Sequence, residues 1–328
     1  MIDGAVAHGL PLAVAAGALT VLATRRVLAW LHARQILDHP NERSSHALPT
    51  PRGGGLATTP VMAALVLAAG WGTPLMVLGL GALALLGISW WDDRVGLAPL
   101  PRLLSHAVAV AVGLALLPGD ALVLGGAVPV WADRLLAGLA WLWFVNLYNF
   151  MDGIDGITGV ETVSLGLGIA LVAGSPLAPP SLVVAAVGGA FLLFNWHPAK
   201  LFLGDSGSVP FGYVLGGLLL QLALSGHLAA ALILPAYYVA DATITISRRA
   251  LAGEKVWQAH RKHFYQRAVQ GGKRHDQVAG LVASGNALLI ACALLASSGR
   301  TWEGVAGALL VTAAMLAVMQ VWSRRRPA

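Results

Sequence analysis

The residues able to do chemistry in this sequence gather in five polar segments, 32–55, 92–102, 149–156, 195–208 and 247–277. The second follows Trp90-Trp91 with Asp92-Asp93-Arg94. Adjacent carboxylates at a helix end can bind a divalent cation or hold a base beside a phosphate, and they equally suit helix-end solvation beside an interfacial tryptophan pair. The third, Asn149-Phe-Met-Asp152-Gly-Ile-Asp155-Gly156, spaces its polar side chains three residues apart. On a helix or tight turn that spacing puts Asn149, Asp152 and Asp155 on one side. The two Asp-Gly steps predict a broken helix lining a cavity, since irregular backbone at membrane depth must be buried or hydrated. Such a set offers oxygen ligands to a hard cation and acceptors to a ligand's N–H groups; a helix–turn–helix with aspartate caps is the plainer alternative.

The fourth segment places Asp205 between Gly204 and Ser206, a few residues after Lys200 and Phe202. A carboxylate there can hold Mg2+ against a diphosphate and Phe202 can stack on a base, whereas Ser206 or Ser208 could simply cap the next helix. The first segment contains Pro49-Thr-Pro-Arg52-Gly53-Gly54-Gly55. The glycine triplet allows close backbone approach, and its N–H groups open a helix, where anions bind well. Arg43 and Arg52 could clamp phosphate oxygens, and a flexible surface turn is the competing reading. No Gly-Lys-Ser/Thr follows, so this is not a Walker loop. In the fifth, His260-Arg261-Lys262-His263 and Arg267 follow Arg248-Arg249. Helical spacing puts His260, His263 and Arg267 on one face, where the arginine favours an anion over a metal; a basic helix resting on anionic lipid fits the same pattern.

These segments need elements to hold them, and composition says which. The 328 residues are 57% hydrophobic and 11% charged, with a mean hydropathy of +0.72. A soluble domain carries roughly 25% charged residues, so the chain reads as an all-α, polytopic membrane protein of about 10–11 spans, one domain over residues 1–328. Apolar runs near the spanning length of about 20 residues lie at Leu10–Leu31, Leu56–Gly72, Pro74–Trp91, Leu103–Leu117, Leu135–Tyr148, Ile157–Ala173, Ser181–Phe194, Pro210–Leu224, Leu228–Ile246, Val278–Leu295 and Gly304–Trp322. Residues 1–24 lack a basic start and run into Arg25-Arg26, as a retained first anchor does. The outer connection 118–134 is Gly/Val/Pro-rich and reads as a small hairpin.

Net charge is +6, and its distribution is informative. With the N-terminus outside and the spans alternating, only Arg134 and Arg300 of the 21 lysines and arginines fall outside. Basic residues mark the cytoplasmic side, so all five segments face the cytoplasm. Arg324-Arg325-Arg326 reads as a topology anchor rather than a nucleic-acid patch. The single cysteine, Cys292, excludes an intrachain disulfide and a cysteine metal cage. Asp241 either faces the cavity from the ninth span or orients Arg248 or Arg249.

Taken in order from Arg43 to Arg267, these motifs resemble the polyprenyl-phosphate N-acetylhexosamine-1-phosphate transferases of glycosyltransferase family 4. The resemblance implies transfer of a HexNAc-1-phosphate from a UDP-N-acetylhexosamine to undecaprenyl phosphate, with release of UMP. It implies that Asn149 and Asp205 hold Mg2+, or Mn2+ in its place. Phe202 would stack on uracil and Asp155 would read the uracil edge. Asp92 and Asp93 would lie near the lipid phosphate, one as base, and His260, Arg261 and His263 would neutralise the diphosphate. Arg52, Gly53, Gly54, Asp152 and Lys200 complete the expected substrate-binding set. The fifth motif departs from the triple histidine of the peptidoglycan translocase and looks closer to the O-antigen-initiating branch. A homodimer is an open option. A transporter of an anionic lipid or sugar predicts charges in mid-span and on both faces, unlike this one-sided pattern. A scaffold leaves the paired carboxylates unexplained.

Overall fold

The computed structural model describes residues 4–40, 48–117, 121–174, 176–258 and 260–324. Arg43, Arg325 and Arg326 lie outside the described residues. The chain is a helical bundle: α1 (Gly4–Ala33), α2 (Gly55–Ala69), α3 (Met76–Val95), α4 (Pro99–Ala115), α5 (Val130–Phe150), α6 (Ile157–Ala173), α7 (Ala178–Asn195), α8 (Asp205–Leu222), α9 (Leu228–Ile233), α10 (Ala236–Leu251), α11 (Phe264–Gln270), α12 (His275–Ser297) and α13 (Thr301–Ser323). Each of the eleven expected spans falls on helix. Among the described residues six helical stretches are long and apolar enough to cross a membrane, and three shorter helices, α2, α4 and α6, are mainly apolar. Large aliphatic side chains such as Leu103, Leu104, Val108 and Val112 of α4 point outward and exposed, as in a protein solvated by lipid rather than water. It is a multi-pass membrane protein.

The ninth span is not one helix. After α8 the chain passes through a wide turn with Gly226 at φ 89°, makes the short α9, and breaks again at Pro235 before α10. Proline lacks the N–H a continuing helix needs, which a hydropathy window does not register. α10 then runs past the expected end at Ile246 to Leu251, and Asp241 and Arg249 along it are buried. No hairpin forms among the described residues of the outer connection. Val123 and Leu124 instead donate their N–H groups to Asp133 in the first turn of α5, at 3.0 and 2.8 Å.

α8 is the central helix, buried along almost its whole length between α2, α3, α5 and α6. Its glycines make this possible. A Cβ on Gly212 would meet Tyr148 and Val145, and one on Gly216 would meet Trp141. Small residues let backbones approach where lipid gives no hydrophobic drive between helices. Trp141 stacks on Tyr213 at 4.9 Å and donates Nε1–H to its carbonyl at 2.9 Å, locking α5 to α8. This fixes the end of α5 against the start of α8, where the polar segments meet.

Among the described residues the bundle carries a short stretch of strand pairing. Leu37–Asp38 pairs antiparallel with Thr50–Pro51, and Arg52 forms a parallel bridge to Phe202.

Candidate active site

That bridge explains the glycine triplet. The N–H groups of Gly53 and Gly54 donate to the Phe202 carbonyl at 3.1 and 2.9 Å, and that of Gly55 to Leu203 at 2.9 Å. Phe202 returns its own N–H to Pro51 at 2.8 Å. The expectation that these N–H groups receive an anion is therefore corrected: they seam the first segment to the fourth. A Cβ on Gly55 would sit 2.2 Å from the Gly207 nitrogen, and one on Gly54 would sit 2.6 Å from the Phe191 ring. Glycine is required for contact between two backbones, and the seam carries Arg52 to Asp205.

Around Asp205 the structure assembles a charge cluster from α3, α4, α5, α8 and the Arg52 strand. Arg52 pairs with Asp205 Oδ1 at 2.8 Å and with Asp93 at 3.0 Å. Arg102, at the start of α4, pairs with Asp92 Oδ2 at 2.8 Å and with Asp205 Oδ2 at 2.9 Å, and donates to Asn149 Oδ1 at 3.3 Å. Asn149 in turn donates to Ser208 at 2.9 Å. Burial pulls the Arg52 pKa down, but the carboxylates of Asp205, Asp93 and Asp38 outweigh it and leave it raised. Arg52 is thus a fixed cation.

The neighbouring aspartates of α3 have different jobs. Asp93 accepts the N–H groups of Asp205 and Ser206 at 3.0 and 2.9 Å. It caps the first turn of α8, whose N–H groups have no intrahelical partner. Gly204, at φ 76°, makes room, since a Cβ there would lie 2.7 Å from Asp93 Oδ2. Asp92 accepts the Leu97 N–H at 2.6 Å and points its other oxygen at Arg102. Asp93 positions Asp205, and Asp92 reaches Asp205 through the guanidinium they share.

The expected grouping of Asn149, Asp152 and Asp155 divides. Asp152 accepts the Thr158 hydroxyl at 2.6 Å beside the charge cluster, and burial raises its pKa to about 6. Asp155 turns the other way. Its Oδ2 meets His197 Nδ1 at 2.6 Å, His275 Nδ1 at 3.2 Å and the Ala199 N–H at 3.2 Å. Burial opposes ionisation there, but bonds from His275 and His197 outweigh it and hold the pKa below the usual carboxylate range.

Among the described residues two places could hold a cation. The ligand atoms of Asp155, His197 and His275 lie within 4.8 Å of one another, but they already bond one another, and a mixed nitrogen–oxygen set suits zinc-like ions. The other place is all oxygen: Asp92 Oδ2, Asp205 Oδ2 and Asn149 Oδ1 converge on the single guanidinium of Arg102. Three oxygens of net negative charge around one cation fit Mg2+ or Mn2+.

The fifth motif forms a shelf beside this cluster, not a helical face. His260 precedes α11, His263 caps it, and Arg267 turns to Gln320 of α13 at 3.2 Å. The shelf is joined to the third segment by the Tyr265 hydroxyl, which donates to the Phe150 carbonyl at 3.1 Å. Burial, with His263, Arg249 and Lys262 nearby, lowers the His260 pKa to about 4. The ring is then neutral at pH 7, and its Nδ1 accepts the Lys262 N–H at 3.2 Å. Positive charge comes from a cavity of about 210 Å³ lined by Thr245, Arg248, Arg249, Glu254, Lys262 and Arg267. Lys200 is exposed and Phe202 half-buried at the rim.

Sequence reasoning missed Arg102, Asn195, His197 and His275 as site residues. Asn195 bonds the Gly156 N–H and the Leu201 carbonyl, both at 2.9 Å, tying the third segment to the fourth. Arg102 carried a signal: it follows Pro99 and Pro101 at a helix start on the charged face.

Known proteins resemble this chain in sequence. Residues 75–223 match the profile of glycosyl transferase family 4. The chain is 30% identical over 261 residues to a probable undecaprenyl-phosphate N-acetylglucosaminyl 1-phosphate transferase of Bacillus subtilis, covering 73% of this chain and 71% of that protein. It is 29% identical to a decaprenyl-phosphate N-acetylglucosaminephosphotransferase of Mycobacterium leprae, covering 94% and 89%. It is 32% identical to a phospho-N-acetylmuramoyl-pentapeptide-transferase of Picosynechococcus, covering 61% and 59%. With its charge cluster set at one end of an apolar bundle, the chain belongs to glycosyl transferase family 4, among the polyprenyl-phosphate N-acetylhexosamine-1-phosphate transferases.

Proposed function

We propose that the protein transfers a HexNAc-1-phosphate from a UDP-sugar to undecaprenyl phosphate at the cytoplasmic face and so initiates a lipid-linked envelope polysaccharide of the O-antigen type. The observation that carries this reading is the convergence of Asp92, Asp205 and Asn149 with Arg52 and Arg102 at one end of the bundle. A lipid phosphate oxygen attacks the sugar-bound phosphorus, the bond to the UMP oxygen breaks, and UMP leaves with the electron pair. Phosphoryl transfer needs positioning and charge neutralisation more than covalent help from the protein. Asp205 and Asn149, with Asp92, would hold Mg2+, which supplies positive charge to the diphosphate when bound.

The chain's own groups do the rest. Arg52 and the basic cavity draw two anionic substrates to the same face. Asp93 keeps Asp205 in place, and Asp92 is the carboxylate beside the attacking phosphate. Arg261 supplies charge at the diphosphate, with His260 as a neutral donor and His263 beside it. Asp155 reads the uracil edge through the oxygen His197 leaves open, with Lys200 at the rim. An apolar cavity of about 200 Å³, lined by Trp141, Trp143, Phe144, Leu147, Pro235 and Val239 among others, suits a prenyl chain entering from lipid.

The test is purified protein in detergent with undecaprenyl phosphate, a panel of UDP-HexNAc donors that includes UDP-MurNAc-pentapeptide, and Mg2+, reading released UMP. Lipid-dependent release stopped by EDTA is expected, with a simple UDP-HexNAc preferred. Preference for the pentapeptide donor would move the protein to the peptidoglycan branch, and silence with every donor would revive the transporter reading.

Two further results are expected. Phe202→Ala should raise the donor KM about tenfold, since base–aromatic stacking contributes about 1–3 kcal/mol, while kcat changes less than about threefold; an unchanged KM removes Phe202 from the uracil site. Asp152 is protonated below a pKa of about 6 and ionised above it. If the ionised form is the active one, kcat/KM for the donor falls as pH drops through about 6. Asp152→Asn should be slow at every pH and lack that acid limb. A limb that persists in the variant assigns it to another group.

A further inference from the structure

One carboxylate at this end of the molecule is untouched by the mechanism above. Asp241 is fully buried inside α10, and five donors converge on it. Oδ1 accepts from His263 Nδ1 at 3.1 Å, the Phe264 N–H at 3.0 Å and the Thr245 hydroxyl at 3.3 Å. Oδ2 accepts from the Tyr265 N–H at 3.2 Å and the Tyr237 hydroxyl at 3.1 Å. Two of these donors open α11, where a helix leaves its N–H groups without partners. Asp241 therefore caps α11 from a different helix.

The His263 contact has a chemical consequence. A carboxylate so supplied with donors only accepts, so His263 must carry its proton on Nδ1. In the neutral ring that leaves the lone pair on Nε2. Nε2 is buried and has no hydrogen-bond partner among the described residues. Buried polar atoms in a purely structural pair are normally satisfied. His260, stacked on His263 at 4.8 Å, holds the opposite tautomer, because its Nδ1 accepts the Lys262 N–H at 3.2 Å. The two rings thus present one donor and one acceptor side by side.

We propose that Asp241 is a positioning residue for the transfer: it fixes the Nδ1–H tautomer of His263, leaves Nε2 as the ring's working nitrogen, and seats α11 against the α5–α6 turn. The seat is direct. Tyr265, whose N–H Asp241 holds, bonds the Phe150 carbonyl, and a Cβ on Gly153 would lie 2.2 Å from the Tyr265 hydroxyl. A carboxylate behind a histidine orients the ring, so Asp241 acts on the reaction by placing His263 and α11 and not by touching substrate.

The inference rests on the proposed transfer reaction, and its test is built to fail separately. Asparagine at 241 keeps the shape and an oxygen for the α11 cap, but it turns an N–H toward His263 and moves the ring proton to Nε2. In 15N-histidine-labelled full-length protein, the His263 resonance, assigned by its loss in His263→Gln, should report Nδ1–H in the parent and Nε2–H in Asp241→Asn. This readout needs no turnover. In the UMP assay, Asp241→Asn should lower kcat about a hundredfold, the scale of an oriented acid–base group. The donor KM should stay within about threefold, and the double variant with His263→Gln should be no slower than either single one. A parent ring protonated on Nε2, an unchanged tautomer in Asp241→Asn, or losses that multiply in the double variant overturns the proposal. A silent parent enzyme with the expected tautomer overturns the transfer reading instead.

Discussion

Replacing Asp205 by asparagine is expected to lower turnover on the order of 10³-fold while the protein still inserts and folds. The loss follows from charge. Asp205 contributes both of its oxygens to the cluster, one to Arg52 and one to Arg102 beside Asn149 and Asp92. An amide keeps the shape but gives up the negative charge that would hold a divalent cation, whose charge stabilisation amounts to several kcal/mol. At about 1.4 kcal/mol per factor of ten, a loss of about 4 kcal/mol gives that magnitude. The fold survives because each arginine keeps a second carboxylate, Asp93 for Arg52 at 3.0 Å and Asp92 for Arg102 at 2.8 Å. The α8 cap also survives, since Asp93 binds the backbone of residue 205 and not its side chain. Rates of UMP release from detergent-purified variant and parent, matched by thermal unfolding, test this. Turnover within tenfold of the parent would take Asp205 out of the metal role.

That outcome depends on geometry that the sequence showed only in part. The helices were legible because lipid imposes a coarse rule, about 20 apolar residues per crossing, and the runs are nearly pure Ala, Leu, Val and Gly. The break in the ninth span was not legible by hydropathy, although Gly226 and Pro235 stand in the sequence; an apolar window does not see a missing N–H. The site residues were legible by type and not by role. Asp92 and Asp93 are identical in chemistry and adjacent, and only the meeting of α3 with α8 makes one a helix cap and the other the partner of Arg102. The glycine triplet looked like an anion cradle because a single segment cannot show its partner, and that partner, Phe202-Leu203, lies about 150 residues away. Asp155 shares a three-residue spacing with Asp152, yet the turn at Gly156, with φ 79°, sends it to two histidines from α12 and the loop after α7. Long-range pairing decided every one of these roles.

Arg102 is where that limit matters most, and its removal makes the second large prediction. Asp92, Asp93 and Asp205 crowd one another where the end of α3 meets the start of α8, and among the described residues Arg52 and Arg102 offset them. In Arg102→Ala, three carboxylates share one guanidinium. Breaking a buried pair can cost about 3–5 kcal/mol, but the Arg102 side chain is 31% exposed and solvent screens part of that. A loss of about 2 kcal/mol is the expected scale. The oxygens left facing each other, Asp92 Oδ2, Asp205 Oδ2 and Asn149 Oδ1, are the set that fits a hard cation. Ligand binding to the folded state alone stabilises it by mass action. The variant should therefore unfold at a lower temperature than the parent in EDTA and recover most of the difference in millimolar Mg2+, while the parent responds weakly because its arginine already supplies the charge. Thermal midpoints of both proteins with EDTA, Mg2+ and a matched monovalent salt separate a bound cation from general screening. An equal response of parent and variant to Mg2+ would mean that the cation binds elsewhere, and the His197–Asp155–His275 group would then be the place to look.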